Sequence, residues 1–362
     1  MNILIAGGGT GGHLFPALAI GAELQRQLPQ TDIHYVGSTY GLEKSILPQK
    51  NVPFTLLNIR GLQRQFSWQA MGRNLLLPFR LLVSWIKTVK LMQALLPVVV
   101  IGTGGYASAF PVRQALRSGI PVVLQEQNSY PGLVTRLYAG QVAKVCLGFA
   151  AARDHLNGIG VETGNPIYRD VAKYTRDQAA DYFELAADKP VVFITGGSQG
   201  SALLNQTVAG MLDRNPKPPF QILWQTGKHN IEVWNGYASD HCRIFPFIDE
   251  MEAAYTLADL ILSRAGALAL SEIVLFGKPS ILVPLASAAE NHQYHNGKTL
   301  VDKGAALLVE ERELNPDRLY QDIQSIFQDH QKMKTMGDAA LAMAKPHALA
   351  TIVDHILDVI KA

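Results

Sequence analysis

The chain opens Asn2-Ile3-Leu4-Ile5-Ala6-Gly7-Gly8-Gly9-Thr10-Gly11-Gly12-His13-Leu14-Phe15-Pro16, and this stretch decides the fold. The short apolar run at 3–6 has the character of a strand covered on both faces of a parallel sheet. A glycine-rich turn follows it, and Pro16 sits where the first turn of a helix tolerates a proline. The same unit recurs twice. Residues 98–101 run into Gly102-Thr103-Gly104-Gly105-Tyr106, and residues 191–195 run into Gly196-Gly197-Ser198-Gln199-Gly200-Ser201. Glycine is needed where backbone N–H groups must approach a ligand with no Cβ in the way. A helix N-terminus then offers unpaired donors and partial positive charge to a phosphate. One such loop could be no more than a tight turn, but three at the carboxyl ends of strands point to ligand binding.

Further apolar runs lie at 33–36, 122–124 and 145–147, then at 221–224, 243–245, 260–262, 281–283 and 306–309, separated by helical patterns. Two such series predict an α/β protein of two doubly wound, Rossmann-like domains. Gly164-Asn165-Pro166 is a turn signal, so the linker is placed there: an N-terminal domain at 1–164 and a second at 165–340. The segment from 339 to 362 reads as a final helix, or a helix pair broken near Pro346.

Composition agrees with this plan. The 362 residues are 48% hydrophobic and 17% charged, which suits two globular domains and excludes a disordered chain. Two cysteines, Cys146 and Cys242, cannot build a disulfide framework, so a reducing compartment is expected. The N-terminus is expected to lack a secretory signal, and no window approaches the ~20 apolar residues of a membrane span. The net charge of +2 conceals an asymmetry. Residues 1–165 hold 14 Lys/Arg against 6 Asp/Glu, or +8, and residues 166–362 hold 18 against 24, or −6. A basic half suggests an anionic partner.

Gly7, Gly9 and Gly12 satisfy the dinucleotide pattern G-x-G-x-x-G. That reading expects an acid to end the second strand and hold a ribose, whereas here the strand ends Val36-Gly37-Ser38-Thr39. The nicotinamide reading is therefore weak.

The first loop with its His-Leu-Phe-Pro extension, the second loop with Tyr106, and Glu126-Gln127-Asn128 form a set. So do Gly-Gly-Ser-Gln-Gly at 196–200, Ser263-Arg264-Ala265-Gly266-Ala267 with Glu272, and His292-Gln293 with Asn296. In this order and spacing, from Met1 into the final helix, the chain closely resembles the MurG family of UDP-N-acetylglucosamine transferases. The resemblance implies a GT-B fold, two Rossmann-like domains facing a cleft, with the last helix (about 341–362) crossing back to the first. It implies an inverting transfer of N-acetylglucosamine (GlcNAc) from UDP-GlcNAc to the C4 hydroxyl of the muramoyl sugar of undecaprenyl-linked lipid I, giving lipid II. Three positions depart from the pattern: Gln125 replaces a frequent histidine, Tyr168 pushes Arg169 one residue late, and Ala269 replaces a common threonine.

Such a reaction needs a base for the incoming hydroxyl and stabilisation of a leaving pyrophosphate. The resemblance makes His13 the leading base and Glu126 its rival. It assigns the donor to Thr10, Gly11, Gly12, Asn128, Arg169, Ser198, Gln199, Gly200, Ile248, Ala267, Leu268, Glu272, His292 and Gln293. Within that set Glu272 would accept both ribose hydroxyls, the Ile248 backbone would meet uracil, and His292 and Gln293 would face the sugar. Gly104, Gly105, Tyr106 and Arg136 would serve the acceptor's pyrophosphate. No Asp-x-Asp metal motif is visible, so no cofactor is required by the sequence and dependence on a divalent metal stays open.

Residues 66–92 mix Phe66, Trp68, Leu75, Leu76, Phe79, Leu82, Trp85 and Ile86 with Arg73, Arg80, Lys87 and Lys90 and contain no acid. This combination suits an interfacial helix on anionic lipid, with Leu76, Phe79, Arg80, Trp85 and Lys87 as contacts. No nucleic-acid motif accompanies the basic residues. The expected setting is the cytoplasmic face of the inner membrane, with cell-wall synthesis proteins as further partners. Two rivals share much of the pattern: a non-hydrolysing UDP-sugar epimerase and a non-enzymatic nucleotide-sugar-binding protein.

Overall fold

The apolar runs become strands that pair in parallel throughout. The computed structural model describes residues 1–59, 77–228 and 231–362. It divides into two units, Met1–Tyr168 with His347–Ala362, and Arg169–Pro346. The division falls just after Tyr168 rather than at the turn Gly164-Asn165-Pro166.

In the first unit the strands are β1 (Asn2–Gly7), β2 (Asp32–Ser38), β3 (Phe54–Leu57), β4 (Val99–Gly104), β5 (Val122–Glu126), β6 (Lys144–Leu147) and β7 (Val161–Glu162). Their order across the sheet is β3-β2-β1-β4-β5-β6-β7, so the chain reverses its direction of travel between β1 and β4. Alternate residues of β1 serve opposite faces, as strand geometry requires. Ile3 and Ile5 pack with Leu14, Ala17, Ile20 and Leu24 of the helix Gly11–Gln27. Leu4 and Ala6 face Met92, Val112 and Ala115 on the other side. The final helix, Ala348–Lys361, adds Ile352, Val353 and Ile356 to the first of these cores. It is separated from the preceding helix, His330–Ala342, by a break that contains Pro346.

Strands β3 and β7 were not anticipated. Phe-Thr-Leu-Leu at β3 is a short run at the sheet edge, and β7 has two residues, too few to show a period. Strand β4 also extends through Gly102, Thr103 and Gly104, so the second glycine run begins inside the sheet. Its pairing with β1 shifts register between Ala6 and Gly7.

The second unit contains β8 (Val191–Thr195), β9 (Gln221–Gln225), β10 (Cys242–Phe245), β11 (Leu260–Ser263), β12 (Ser280–Leu282) and β13 (Ala306–Leu308), in the order β10-β9-β8-β11-β12-β13. Here the reversal lies between β8 and β11. Trp224, Ile194, Leu262 and Ile281 lie in the core with Leu204, Val208 and Leu212 of the helix Ala202–Arg214. Ligands of doubly wound sheets bind outside the carboxyl ends of the strands, at such reversals. In each unit the glycine loops emerge there.

Candidate functional site

In the first unit, two glycine runs meet at the β1/β4 reversal. Gly8 N–H donates to Gly104 O at 3.3 Å, and a Cβ on Gly105, whose φ is +72°, would stand 2.0 Å from Gly8 O. Only glycine lets the loops lie this close. Thr10, Gly12 and Tyr106 are exposed beside them, with Gly11 half-buried. Among the described residues a further support was not read from the sequence. Glu43 is fully buried, accepts the Gly9 N–H, and fills the space that a Cβ on Gly8 or Gly41 would need. Burial pushes its carboxyl up, against the pull of backbone donors including Gly9. Its signal was its position, the last acid before the acid-free stretch from Lys44 through Gln125.

His13 stands in the first turn of the helix Gly11–Gln27, half-buried. Its Nδ1 lies 3.0 Å from Thr103 O and 2.8 Å from Gln127 Oε1. A Cβ on Gly104 would come within 2.7 Å of that nitrogen. Glu126 is placed differently from a solvent-facing base. It is buried, and its carboxylate accepts from Asn128 N (3.0 Å), Asn128 Nδ2 (3.3 Å), Gly132 N (2.9 Å) and Thr135 Oγ1 (2.7 Å). Four donors make it a strut for the loop 127–135. Asn128 belongs to that strut as well. Arg136 donates to Tyr130 Oη at 2.8 Å and lies over the Tyr130 ring.

The second unit presents Ser198 and Gln199 as exposed residues of the loop after β8. Gly200 has φ +73°, and a Cβ there would stand 2.0 Å from Thr226 O. Ser201 caps the following helix, accepting from Leu204 N–H, and also accepts from Arg264 Nη2 at 2.8 Å. Arg264 is paired with Glu311 at 2.7 Å, so the loop after β11 is tied to the loop after β8. Gln225 is a second support missed by sequence reading. Its Nε2 donates to Thr195 Oγ1 (3.0 Å) and Gly197 O (3.2 Å), and its Oε1 accepts the Ile248 N–H (2.9 Å). A polar residue ending the apolar run of β9 was the available signal. The Ile248 side chain is buried and its N–H is committed to Gln225, so uracil would not meet that N–H without displacing the amide.

Glu272 lies on the helix Ala267–Leu275, whose first residues include Ala267 and Leu268. Its Oε1 accepts from Arg169 Nε at 2.7 Å and its Oε2 from Tyr255 Oη at 2.9 Å. Burial pushes its carboxyl above the ordinary value, opposed by Arg169 and Tyr255. Burial works against the Arg169 guanidinium, but Glu272 and Glu252 (3.5 Å) more than offset it and raise it overall. Arg169 is thus held between Glu272 and Glu252. A carboxylate has about four lone-pair sites, so two remain for hydroxyl donors. Near the start of the helix His292–Val301, Gln293 Oε1 accepts from Leu285 N–H at 2.9 Å, which directs its Nε2 away from that contact. His292 Nδ1 lies 2.7 Å from Ala289 O. The preceding Glu290 and Asn291 both adopt left-handed backbone, at φ +52° and +53°, an uncommon pair outside glycine.

The expected membrane residues separate. On the helix Leu77–Leu95, Phe79, Leu82, Val83 and Ile86 are 67, 55, 43 and 45% exposed. Trp85 is not among them. Its ring meets Phe110 edge-on at 5.6 Å and lies under the guanidinium groups of Arg113 and Arg117. Arg80 is half-buried, and Lys87 donates from its exposed position to Leu56 O at 2.9 Å. Leu76, with Phe66, Trp68, Arg73 and Leu75, lies outside the described residues. Among the described residues no helix is long and apolar enough to cross a membrane. Cys146 and Cys242 are buried, and burial pushes both thiols up to about 12, which disqualifies them as nucleophiles at neutral pH.

Two parallel-sheet units, each with glycine loops at its reversal, make a fold of the GT-B class. Residues 3–147 match the glycosyltransferase family 28 N-terminal domain, and residues 191–352 match the family 28 C-terminal domain. The chain is 36% identical, over 365 residues, to a UDP-N-acetylglucosamine--N-acetylmuramyl-(pentapeptide) pyrophosphoryl-undecaprenol N-acetylglucosamine transferase of Flavobacterium psychrophilum, covering 100% of this chain and 98% of that relative. The crystal structure of Acinetobacter baumannii MurG superposes with a TM-score of 0.79 at 28% identity, covering 99% of both chains. A UDP-GlcNAc 2-epimerase from Neisseria meningitidis reaches a TM-score of 0.64 at 14% identity, covering 99% of this chain and 100% of that one, and shares the fold alone. The chain belongs to the family of UDP-N-acetylglucosamine--N-acetylmuramyl-(pentapeptide) pyrophosphoryl-undecaprenol N-acetylglucosamine transferases.

Proposed function

We propose that this protein transfers GlcNAc from UDP-GlcNAc to the C4 hydroxyl of the muramoyl sugar in lipid I, with inversion, to make lipid II for peptidoglycan. The observation that carries this reading is the match of both units, end to end, to relatives named for that reaction. The first unit supplies His13, whose Nδ1 faces acceptors and whose Nε2 can take the hydroxyl proton. The second supplies Ser198, Gln199 and Gly200 at a helix N-terminus for the UDP phosphates, Glu272 for the ribose, and His292 and Gln293 for the sugar. That unit carries most of the chain's acidic residues, so backbone amides and helix dipoles, rather than bulk charge, would hold the diphosphate.

The acceptor is a membrane lipid. The exposed apolar face of Leu77–Leu95, with Lys87 and Lys90, supports peripheral attachment to an anionic bilayer at its cytoplasmic face. The test combines purified protein, UDP-GlcNAc and a lipid I analogue. A disaccharide product with release of UDP is expected. Bound UDP-GlcNAc without disaccharide would overturn the transferase, and conversion of free UDP-GlcNAc to its 2-epimer would favour the epimerase. His13→Ala should abolish turnover, and near-normal turnover would remove His13 from the base role.

A further inference from the structure

Behind His13 lies a chain of three buried amides. Asn165, Gln125 and Gln127 are 2, 1 and 2% exposed. Gln125 Nε2 donates to Asn165 Oδ1 at 3.2 Å, Gln127 Nε2 donates to Gln125 Oε1, and Gln127 Oε1 faces His13 Nδ1 at 2.8 Å. Backbone carbonyls fix the direction. Asn165 Nδ2 donates to Gln127 O (3.1 Å), and Gln127 Nε2 also donates to Thr103 O (2.9 Å) and Gln125 O (3.0 Å). A carbonyl only accepts, so turning the Gln127 amide would set oxygen against oxygen in a buried site. Its Oε1 must therefore face His13. With Gln127 Oε1 and Thr103 O both beside it, Nδ1 must carry the proton.

We propose that the relay Asn165–Gln125–Gln127 is a positioning device that holds neutral His13 as its Nδ1–H tautomer, leaving the lone pair on Nε2. This rests on His13 being the base. In the transfer, Nε2 takes the C4 hydroxyl proton while the hydroxyl oxygen bonds to the anomeric carbon. The bond from that carbon to the UDP oxygen breaks, and its electron pair leaves with UDP. Gln125 then has a task of its own. A carboxamide neither gains nor loses a proton in the working pH range, so it keeps the relay uncharged and orients the imidazole without adding an ion pair.

The test reads the tautomer directly. The full chain is labelled with 15N-histidine, and long-range proton–nitrogen correlation spectra are recorded at about pH 8, where imidazoles are ordinarily neutral. His13 is assigned by difference with a His13→Gln variant. The wild type should show a protonated Nδ1 and a pyridine-type Nε2. Gln127→Leu should move the population towards the Nε2–H form and lower kcat about tenfold with the KM for UDP-GlcNAc unchanged. The loss is smaller than the ~10⁴-fold of a wholly wrong tautomer because Thr103 O remains as an acceptor. A wild-type Nε2–H tautomer would overturn the proposal, as would a Gln127→Leu protein with unchanged tautomer and kcat. If that variant does not fold, the wild-type spectrum decides. An active His13→Ala protein would refute the base while leaving the tautomer result intact, so the two failures are distinguishable.

Discussion

At the scale of single residues, the site depends on groups that hold the reacting ones. Gly104 leaves the His13 ring its place: its φ is +94°, and a Cβ would stand 2.7 Å from Nδ1. Gly104→Ala should displace the imidazole and lower kcat at least tenfold while UDP affinity, measured by calorimetry, stays unchanged; such displacements of about 1 Å can cost up to 10²-fold. Glu272 yields a pH prediction. Burial raises its carboxyl above the ordinary 4.5 against Arg169 and Tyr255, so on acidification it gains its proton earlier than an exposed glutamate. In the proposed role it is the ionised form that would accept the two ribose hydroxyls. The KM for UDP-GlcNAc should therefore rise as pH falls, beginning above the ordinary carboxylate range. Glu272→Gln should have a high KM without that inflection, and a wild-type KM with no acid inflection of its own would contradict the role.

At the scale of elements, the helix Leu77–Leu95 divides its residues by helical period. Phe79, Leu82, Val83 and Ile86, at i, i+3, i+4 and i+7, share one exposed face, whereas Ser84 and Thr88 are buried and Trp85 packs under Arg113 and Arg117. Replacing Phe79, Leu82 and Ile86 together by serine should leave thermal stability nearly unchanged and abolish sedimentation with anionic vesicles. Wild-type binding should weaken as salt is added, because the flanking lysines act through a screened field. Trp85→Ser should instead lower the melting temperature. The sequence showed that this stretch was basic and apolar. It did not show which apolar residues face inward, because apolar residues fall on every side of the helix and the period has little contrast.

At the scale of the molecule, the last helix belongs to the first unit, 347–362 joining 1–168. Ile352, Val353 and Ile356 are fully buried with Ile3 and Ile5. Ile352→Ala should cost about 2–5 kcal/mol, read as a lower midpoint in urea unfolding, because the sheet beneath it cannot collapse into the vacated space.

Strand–glycine–helix units, two sheets and the glycine loops at their reversals were determined locally: uninterrupted apolar runs demand cover on both faces, and glycine clusters mark where backbone must come close. Motif order added the chemistry expected of His13, Ser198 and Glu272. Only the tertiary structure decided how buried polar groups pair. Glu126 became a loop strut, Arg169 reached Glu272, Glu43 and Gln225 braced the glycine loops, and Gln125 and Gln127 lined up behind His13. The partners of Arg169, Glu43, Gln225 and Gln127 stand far apart along the chain, and the direction of each hydrogen bond depends on which carbonyls the fold brings beside it. No local pattern encodes that.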